Sequence, residues 1–182
     1  MSRCWWCGVD TQYVGYHDLE WGRPVHDEQR LFEKVCLEGF QAGLAWITVL
    51  RKREAFREAF AGFDPVVVAK FDDAVIGRLL NNAGIIRHRG KITATINNAN
   101  ALLAMHERGE ALESVVWAHR PTNHRQPEDS SQILGSTPES TALSKALRKR
   151  GFNFVGPTTM YAFMQSMGVV NDHIVGCKSA AS

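Results

Sequence analysis

The stretch AGIIRHRGKI, residues 83–92, decides the fold of this 182-residue chain. It joins two segments that each have the apolar spacing of an amphipathic helix, and together these span about residues 74–106. Gly84 and Gly90 permit tight backbone turns near its two ends, and the two isoleucines between them can anchor the connection to a core. The pattern is typical of a helix-hairpin-helix element, which holds one DNA backbone strand without reading its sequence.

Positive charge concentrates around this element. Residues 74–106 contain no acidic side chain, and neither do residues 140–171, whereas each of these windows carries four positive charges. Two basic tracts on an otherwise acidic chain indicate a polyanion as partner, with chance clustering on a solvated surface as the alternative. The start of the second hairpin helix would also present free N–H groups to a phosphate. The expected DNA contacts are the helix end 148–150 and the hairpin residues Gly84, Arg87, Arg89, Gly90 and Lys91.

Helical patterns cover most of the remaining chain, and strand-like alternation is absent. Asp27 can cap a helix that ends at Gly39 or Gly43, and residues 44–60 have the spacing of one helix with an apolar side. The sequence therefore predicts an all-α protein that forms one domain over residues 1–182. Further helices are expected from Pro65 and over residues 72–84, 90–109, 112–117, 141–151 and 157–168.

Residues 118–140 are expected to form a loop, because they contain three prolines and few apolar side chains. No apolar stretch is long enough to span a bilayer, and the N-terminus lacks the apolar segment of a secretory signal. We therefore expect a cytoplasmic protein without a membrane partner. Its four cysteines should be thiols or metal ligands rather than disulfides.

Aromatic side chains crowd near the N-terminus, where the first 46 residues contain four of the five tryptophans and two of the three tyrosines. This concentration indicates a flat-walled pocket for a planar ligand, with ordinary core packing as the alternative. Glu38 could face that pocket as a buried carboxylate, or it could be an exposed residue at a helix end. Aromatic faces and a carboxylate together attract a cationic aromatic ligand. The aromatic residues concerned are Trp5, Trp6, Tyr13, Tyr16, Trp21 and Trp46.

Residue types that bind metals occur near both ends of the chain: Cys4 and His17 near one, His173 and Cys177 near the other. Two cysteines and two histidines are a common tetrahedral zinc set, and four protein ligands leave no open position, so such an ion would be structural. It would join the N-terminal arm to the C-terminal tail. Two alternatives stay open: Cys7 could replace Cys4 as a ligand, or Cys4 and Cys7 could form a redox pair.

Five separated stretches carry a family resemblance: YHDLEWG (16–22), LEGFQAGLAWITVLRKRE (37–54), AGIIRHRGKI (83–92), LSKALRKRGFNFVGPTT (143–159) and YAFMQSMGVVNDHIVGC (161–177). Together they resemble the DNA-3-methyladenine glycosylase I family over essentially the whole chain. The resemblance implies a helical helix-hairpin-helix glycosylase that removes 3-methyladenine from alkylated double-stranded DNA. It also implies one zinc ion, with Cys4, His17, His173 and Cys177 as its ligands.

The same resemblance places the base pocket at Glu38, Tyr16 and Trp46, with Trp6, Tyr13 and Trp21 lining it nearby. Cys7 and Phe40 depart from the family pattern. Glu38 would select the base, stabilise the sugar cation or orient water.

We expect a monofunctional hydrolase, because Lys91 suits a phosphate contact better than a nucleophile. Leu44 could fill the gap left by a flipped base or could be a core leucine. The protein is expected to act as a monomer. Two other classes are possible: a non-catalytic zinc-stabilised DNA-binding module and a C-x-x-C redox protein.

Overall fold

The computed structural model describes residues 3–180, which form helices, turns and loops without a β-strand. The prediction of an all-α fold is confirmed. Within the described residues no helix is both long and apolar enough to cross a membrane. The α-helices, numbered in chain order, are α1 (Thr11–Leu19), α2 (Glu28–Gln41), α3 (Trp46–Leu50), α4 (Arg53–Ala59), α5 (Pro65–Val68), α6 (Asp73–Asn81), α7 (Arg89–Glu107), α8 (Leu112–Trp117), α9 (Pro138–Lys149) and α10 (Pro157–Ser166).

Local capping residues determine where several helices begin. The Asp27 carboxylate accepts a hydrogen bond of 2.8 Å from the Arg30 N–H, which starts α2 as predicted. Helix α9 begins three residues earlier than expected, at Pro138. The reason is a capping box, in which the side chains of Thr137 and Ser140 each accept from the other's backbone N–H.

The prediction of one helix over residues 44–60 is wrong, because the chain breaks between α3 and α4. Lys52 has non-helical backbone angles, and its ammonium donates to the Ala83 carbonyl over 2.8 Å. The break lets α3 pack in two apolar clusters, with Val49 in the main core and Leu50 in the smaller one, while α4 packs in the main core. Leu50 packs with Tyr16 and Trp21, whereas Phe56 packs in the main core.

Helix α1 was not predicted from the sequence. It does not separate apolar from polar side chains, because it buries both Tyr16 and His17. Its start is local, since the Asp10 carboxylate accepts from the Tyr13 N–H over 3.0 Å. The buried positions of α1 are occupied by residues of the candidate site described below.

Helices α6 and α7 are joined by a turn over residues 82–88, in which neither Gly84 nor the following Gly90 has the positive φ that would require glycine. The Asn82 side chain accepts from the Gly84 N–H over 2.8 Å, and Ile85 is buried in the main core. The His88 ring nitrogen Nδ1 caps α7 by accepting from the Lys91 N–H over 3.2 Å. These contacts therefore hold the turn against the core, while the Arg87 side chain remains exposed.

Helix α2 occupies the centre of the fold and packs against α7, α8 and α10. Nine of its residues are buried, from Leu31 to Phe40. Phe40 packs against Phe56 and Phe60, with ring centroids 4.6 and 5.8 Å apart, so it belongs to the core and not to a pocket rim. Burial of both flanks of α2 fixes the position of Glu38, two residues before Phe40.

The chain returns to its N-terminal part directly after α10. The Val25 N–H donates to the Met167 carbonyl over 3.1 Å, which ties the segment after α1 to the end of α10. Gly168 has a φ of 68°, and a Cβ there would overlap the backbone of Arg23 and Pro24. A glycine is required for this close approach.

We expect Gly168→Ala to lower the free energy of unfolding by more than about 3 kcal/mol, because the added methyl group meets backbone that cannot move aside. Gly109→Ala is the matched control: Gly109 has a φ of 72°, but a Cβ there would meet no atom within 4 Å. Gly109→Ala should lower the free energy of unfolding by about 1 kcal/mol, because it introduces conformational strain and no overlap. Urea denaturation measures both, and equal losses would contradict the interpretation.

Candidate functional site

An open pocket of about 190 Å³ lies where α1, α2, α3 and α10 meet. All six residues that the sequence analysis assigned to a base pocket line it, so the structure brings them together. We call it the aromatic pocket. It is lined by Trp5, Trp6, Tyr13, Tyr16, Trp21, Glu38, Gln41, Trp46, Ile133, Ala162 and Gln165.

Aromatic rings form most of its wall. The Trp6 ring lies 5.0 Å from those of both Tyr13 and Trp21, and Tyr16 lies 5.5 Å from Trp46 (centroid distances). These contacts are tilted or edge-on, which leaves ring faces available to a planar ligand. The aromatic side chains near the N-terminus therefore enclose a cavity and do not simply fill a core.

Glu38 supplies a buried carboxylate to this wall. It is 3% exposed, so the alternative of an exposed helix-end residue is wrong. Its Oε1 atom lies 3.0 Å from the ammonium of Lys34, one turn earlier on α2. A carboxylate this buried requires a partner of opposite charge, and Lys34 provides it.

Lys34, which was not predicted from the sequence, lies behind the aromatic wall and is 5% exposed. Its ammonium donates to the Tyr16 hydroxyl over 2.9 Å and lies 3.2 Å from the centroid of the Trp46 ring. Burial lowers the pKa of Lys34, while the charge of Glu38 acts in the opposite direction. The sequence feature that could have identified Lys34 is its spacing of four residues from Glu38, but this spacing usually indicates an ion pair at the surface.

One polar group of the pocket has no partner, and some of its lining residues come from distant parts of the chain. The indole Nε1 of Trp46 is buried and has no hydrogen-bond partner among residues 3–180. A buried donor without a partner is uncommon in folded proteins. The loop 118–140 contributes Ile133 to the rim, and α10 contributes Gln165. No feature of the neighbouring sequence predicted that Ile133 or Gln165 would line the pocket.

Cys4, His17, His173 and Cys177 form a second, fully buried cluster that could hold a metal ion. One donor atom from each lies within 4.8 Å of all the others. The Cys177 Sγ atom lies 3.5 Å from His17 Nε2 and from His173 Nδ1, and Cys4 Sγ lies 3.6 Å from His173 Nδ1. Ligands of a tetrahedral zinc ion have sulfur and nitrogen about 3.6 Å apart, so this donor set fits that ion.

Both histidines of this cluster are oriented by their second ring nitrogen. The Nδ1 atom of His17 lies 2.8 Å from the Asp18 carboxylate, and Nε2 of His173 lies 3.0 Å from the Trp21 carbonyl. Contacts of this kind are usual behind metal-bound histidines, because they fix the ring and its tautomer. Trp21 also packs edge-on against His173 at 4.7 Å, which joins the cluster to the aromatic pocket.

The remaining cysteines lie outside this cluster. The Cys7 thiol donates to the Cys4 carbonyl over 3.1 Å, so Cys7 is a neighbour of the site and does not replace Cys4. Burial raises the pKa of the Cys7 thiol, which is the reverse of what a reactive thiol needs. The redox alternative has no support in this geometry.

The hairpin surface differs from expectation at one residue. Arg87, Arg89 and Gly90 are exposed, but Lys91 is buried. Its ammonium donates to the Phe40 and Ala42 carbonyls over 2.8 and 2.7 Å. The Lys91 side chain therefore stabilises the end of α2 and is not free to contact a phosphate.

Two further predicted DNA contacts can be placed. Leu44 is 39% exposed in the turn between α2 and α3, so the alternative of a core leucine is wrong. In the basic helix end, Arg148 and Lys149 are exposed. Arg150 forms an ion pair of 2.6 Å with Glu110, so its charge is partly balanced.

Comparison with known proteins gives one consistent result. Residues 6–180 match the family described as methyladenine glycosylase. The chain is 54% identical to DNA-3-methyladenine glycosylase 1 of Escherichia coli, over 97% of this chain and 96% of that protein. It is 51% identical to DNA-3-methyladenine glycosylase of Haemophilus influenzae, over 100% and 99%. A solved variant of 3-methyladenine DNA glycosylase I in complex with 3-methyladenine superposes with a TM-score of 0.93 at 33% identity, over 100% of this chain and 99% of that chain.

We expect Lys91→Met to lower the free energy of unfolding by about 2 kcal/mol, because two buried carbonyls lose a charged donor. Arg87→Met, at an exposed position of the same hairpin, should change it by less than about 0.5 kcal/mol. Guanidinium denaturation of both variants is the measurement. A Lys91→Met protein as stable as the wild type would show that the ammonium does not support α2.

Proposed function

Because the chain belongs to the methyladenine glycosylase family, we infer that it is a DNA repair enzyme that excises 3-methyladenine from alkylated DNA. The observation that carries this inference is the aromatic pocket with a buried carboxylate in its wall. A planar base fits between the rings only after it leaves the duplex stack, so base flipping precedes recognition.

Recognition combines stacking with a hydrogen bond. The flipped base stacks on Tyr16 and Trp46, and Glu38 accepts a hydrogen bond from its polar edge. Trp6, Tyr13 and Trp21 complete the wall and exclude water.

The chemistry requires little from the protein, since adenine methylated at N3 is positively charged while attached to the sugar. The bond from sugar C1′ to the base breaks, and its electron pair leaves with the base, which becomes neutral. Water then adds to C1′ and loses a proton. A lyase route would need a free amine, but the ammoniums of Lys34 and Lys91 are both buried in hydrogen bonds. We therefore propose a monofunctional hydrolase that leaves the strand uncut.

The hairpin holds the duplex during this reaction. We propose that Arg87, Arg89 and the backbone at Gly84 and Gly90 contact phosphates of double-stranded DNA. Exposed Leu44 would enter the gap that the flipped nucleotide leaves, and the apolar character of its side chain supports that role. These contacts are independent of sequence, as a search for rare lesions requires.

We propose that the four-residue cluster binds one structural zinc ion. Cys4, His17, His173 and Cys177 would all coordinate it, so no position is left for water or substrate. The ion supplies no chemistry to base excision and acts by joining the two ends of the chain. The four cysteines form no disulfide among residues 3–180, as expected for thiols and metal ligands in a reducing compartment, and we propose that the protein is cytoplasmic.

The function is tested by incubating the protein with methylated duplex DNA and identifying any released base by chromatography and mass. We expect free 3-methyladenine and an intact abasic strand. Glu38→Gln should lower the rate by about 10²-fold or more, because a neutral amide oxygen accepts a hydrogen bond from the base edge less strongly than a carboxylate does. Glu58→Gln, on the exposed side of α4, is the control and should match the wild type.

Two results would contradict the assignment. Release of no base by a folded, duplex-binding protein would favour a non-catalytic DNA-binding module. Cleavage of the strand at the abasic site would contradict the hydrolase mechanism and point to an amine nucleophile.

Removal of the proposed metal gives a separate prediction. Cys177→Ser should abolish stoichiometric zinc and lower the free energy of unfolding by more than about 3 kcal/mol, because the ends of the chain lose their connection. Cys7→Ser alters a neighbouring thiol outside the cluster and should retain one zinc ion. Elemental analysis and denaturation measure the two effects, and zinc-free wild-type protein of full stability would refute the site.

A further inference from the structure

The ammonium of Lys34 contacts each of the three side chains to which base recognition is assigned. It lies 3.0 Å from Glu38 Oε1, 2.9 Å from the Tyr16 hydroxyl oxygen and 3.2 Å from the Trp46 ring centroid. It does not line the aromatic pocket itself but lines a small second cavity, which Tyr16 and Trp46 also line from their other side. A buried ion pair at this position requires a functional explanation, since two apolar side chains in place of Lys34 and Glu38 would pack there without desolvating any charge.

We propose that Lys34 is a specificity-determining residue, which cancels the charge of Glu38 so that the aromatic pocket does not prefer a cationic base over a neutral one. This inference rests on the proposed function, because it concerns the charge that the base loses during excision. Lys34 is not a catalytic residue in this account, since it touches the base-binding side chains and not the base.

The neighbouring charges make Lys34 and Glu38 the pair that sets the net charge of the pocket. Behind the aromatic wall, Arg53 pairs with Glu20 over 2.6 Å, and Arg57 pairs with Glu33 over 2.8 Å. Arg30, at the edge of the same cavity, is exposed and its charge is screened by solvent. The net charge that an incoming base meets in the aromatic pocket therefore depends on Lys34 and Glu38.

Charge balance matters because the base changes charge in the reaction. The damaged base is cationic while bound to the sugar and neutral once it has left. A pocket with an uncompensated carboxylate would stabilise the cationic ground state more than the transition state, in which part of that charge has moved to the sugar. Burial strengthens this effect, since a low dielectric screens charge poorly. Lys34 removes the penalty and leaves Glu38 available as a hydrogen-bond acceptor.

Lys34 also orients Tyr16. The Tyr16 oxygen accepts a hydrogen bond from the ammonium, so its own hydroxyl hydrogen must point in another direction. The same contact keeps the ring of Tyr16 in place beside Trp46, at a centroid distance of 5.5 Å. Lys34 thus controls both the charge of the aromatic pocket and the orientation of the Tyr16 hydroxyl group.

The test compares two probes of nearly equal shape: quinoline, which is neutral at pH 7.5, and N-methylquinolinium, a permanent cation. Tryptophan fluorescence gives the affinity of each, and competition by 3-methyladenine verifies that both bind in the aromatic pocket. The quantity compared among variants is the ratio of cation affinity to neutral affinity.

Lys34→Met should raise this ratio by about tenfold or more, because it leaves Glu38 unbalanced. Glu38→Gln should lower the ratio, since Lys34 then contributes an excess positive charge. The double variant, neutral at both positions, should return close to the wild-type ratio. In single-turnover assays, Lys34→Met should bind methylated DNA at least as tightly as wild type but release the base more slowly.

An unchanged ratio in folded Lys34→Met would overturn the proposal and leave Lys34 a purely structural residue. If Lys34→Met does not fold, Glu38→Gln provides the test. A ratio of cation affinity to neutral affinity equal to that of the wild type would then overturn the proposal. Failure of the proposed function is separately visible, because the wild-type protein would then release no base from methylated DNA whatever the probe ratios are.

Discussion

The meeting of the two ends of the chain is the constraint on which the candidate site depends. Cys4, His17, His173 and Cys177 place their donor atoms within 4.8 Å of one another, although they lie up to 173 residues apart in sequence. Two rings of the pocket wall are held against this cluster, since Trp6 packs on His17 at 5.2 Å and Trp21 packs on His173 at 4.7 Å. The geometry of the aromatic pocket therefore depends on residues that do not line it. Helix α1 has no apolar face of its own and owes its position to the same cluster.

Helix α2 provides the complementary constraint from the centre of the molecule. It is buried on most sides, and it carries both members of the charge pair behind the aromatic wall. Two charges on one rigid, packed helix cannot separate by side-chain motion as a surface pair can, so their relative position is fixed. The pocket consequently combines a rigid floor from α2 with a wall that is held in place by the joined termini.

Local signals were sufficient for much of the fold and for part of the site. Capping at Asp27 and the glycine-flanked turn at 84–90 are decided by neighbouring residues, so they could be predicted from the sequence. The aromatic composition similarly indicated a pocket. By contrast, the break between α3 and α4 depends on two separate clusters, and the burial of Lys34 depends on Tyr16 and Trp46 arriving from elsewhere. No window of sequence contains that information, because it arises from tertiary packing.

The buried ammonium of Lys91 joins the first turn of α7 to the Phe40 and Ala42 carbonyls at the end of α2, two and four residues beyond Glu38. The hairpin that we propose contacts the DNA backbone and the helix that we propose recognises the base are thus joined directly by hydrogen bonds. This link would keep the aromatic pocket at a constant distance and angle from the bound phosphates. A nucleotide would then reach the pocket only by rotating out of the duplex, and weakly stacked, damaged bases rotate out most readily.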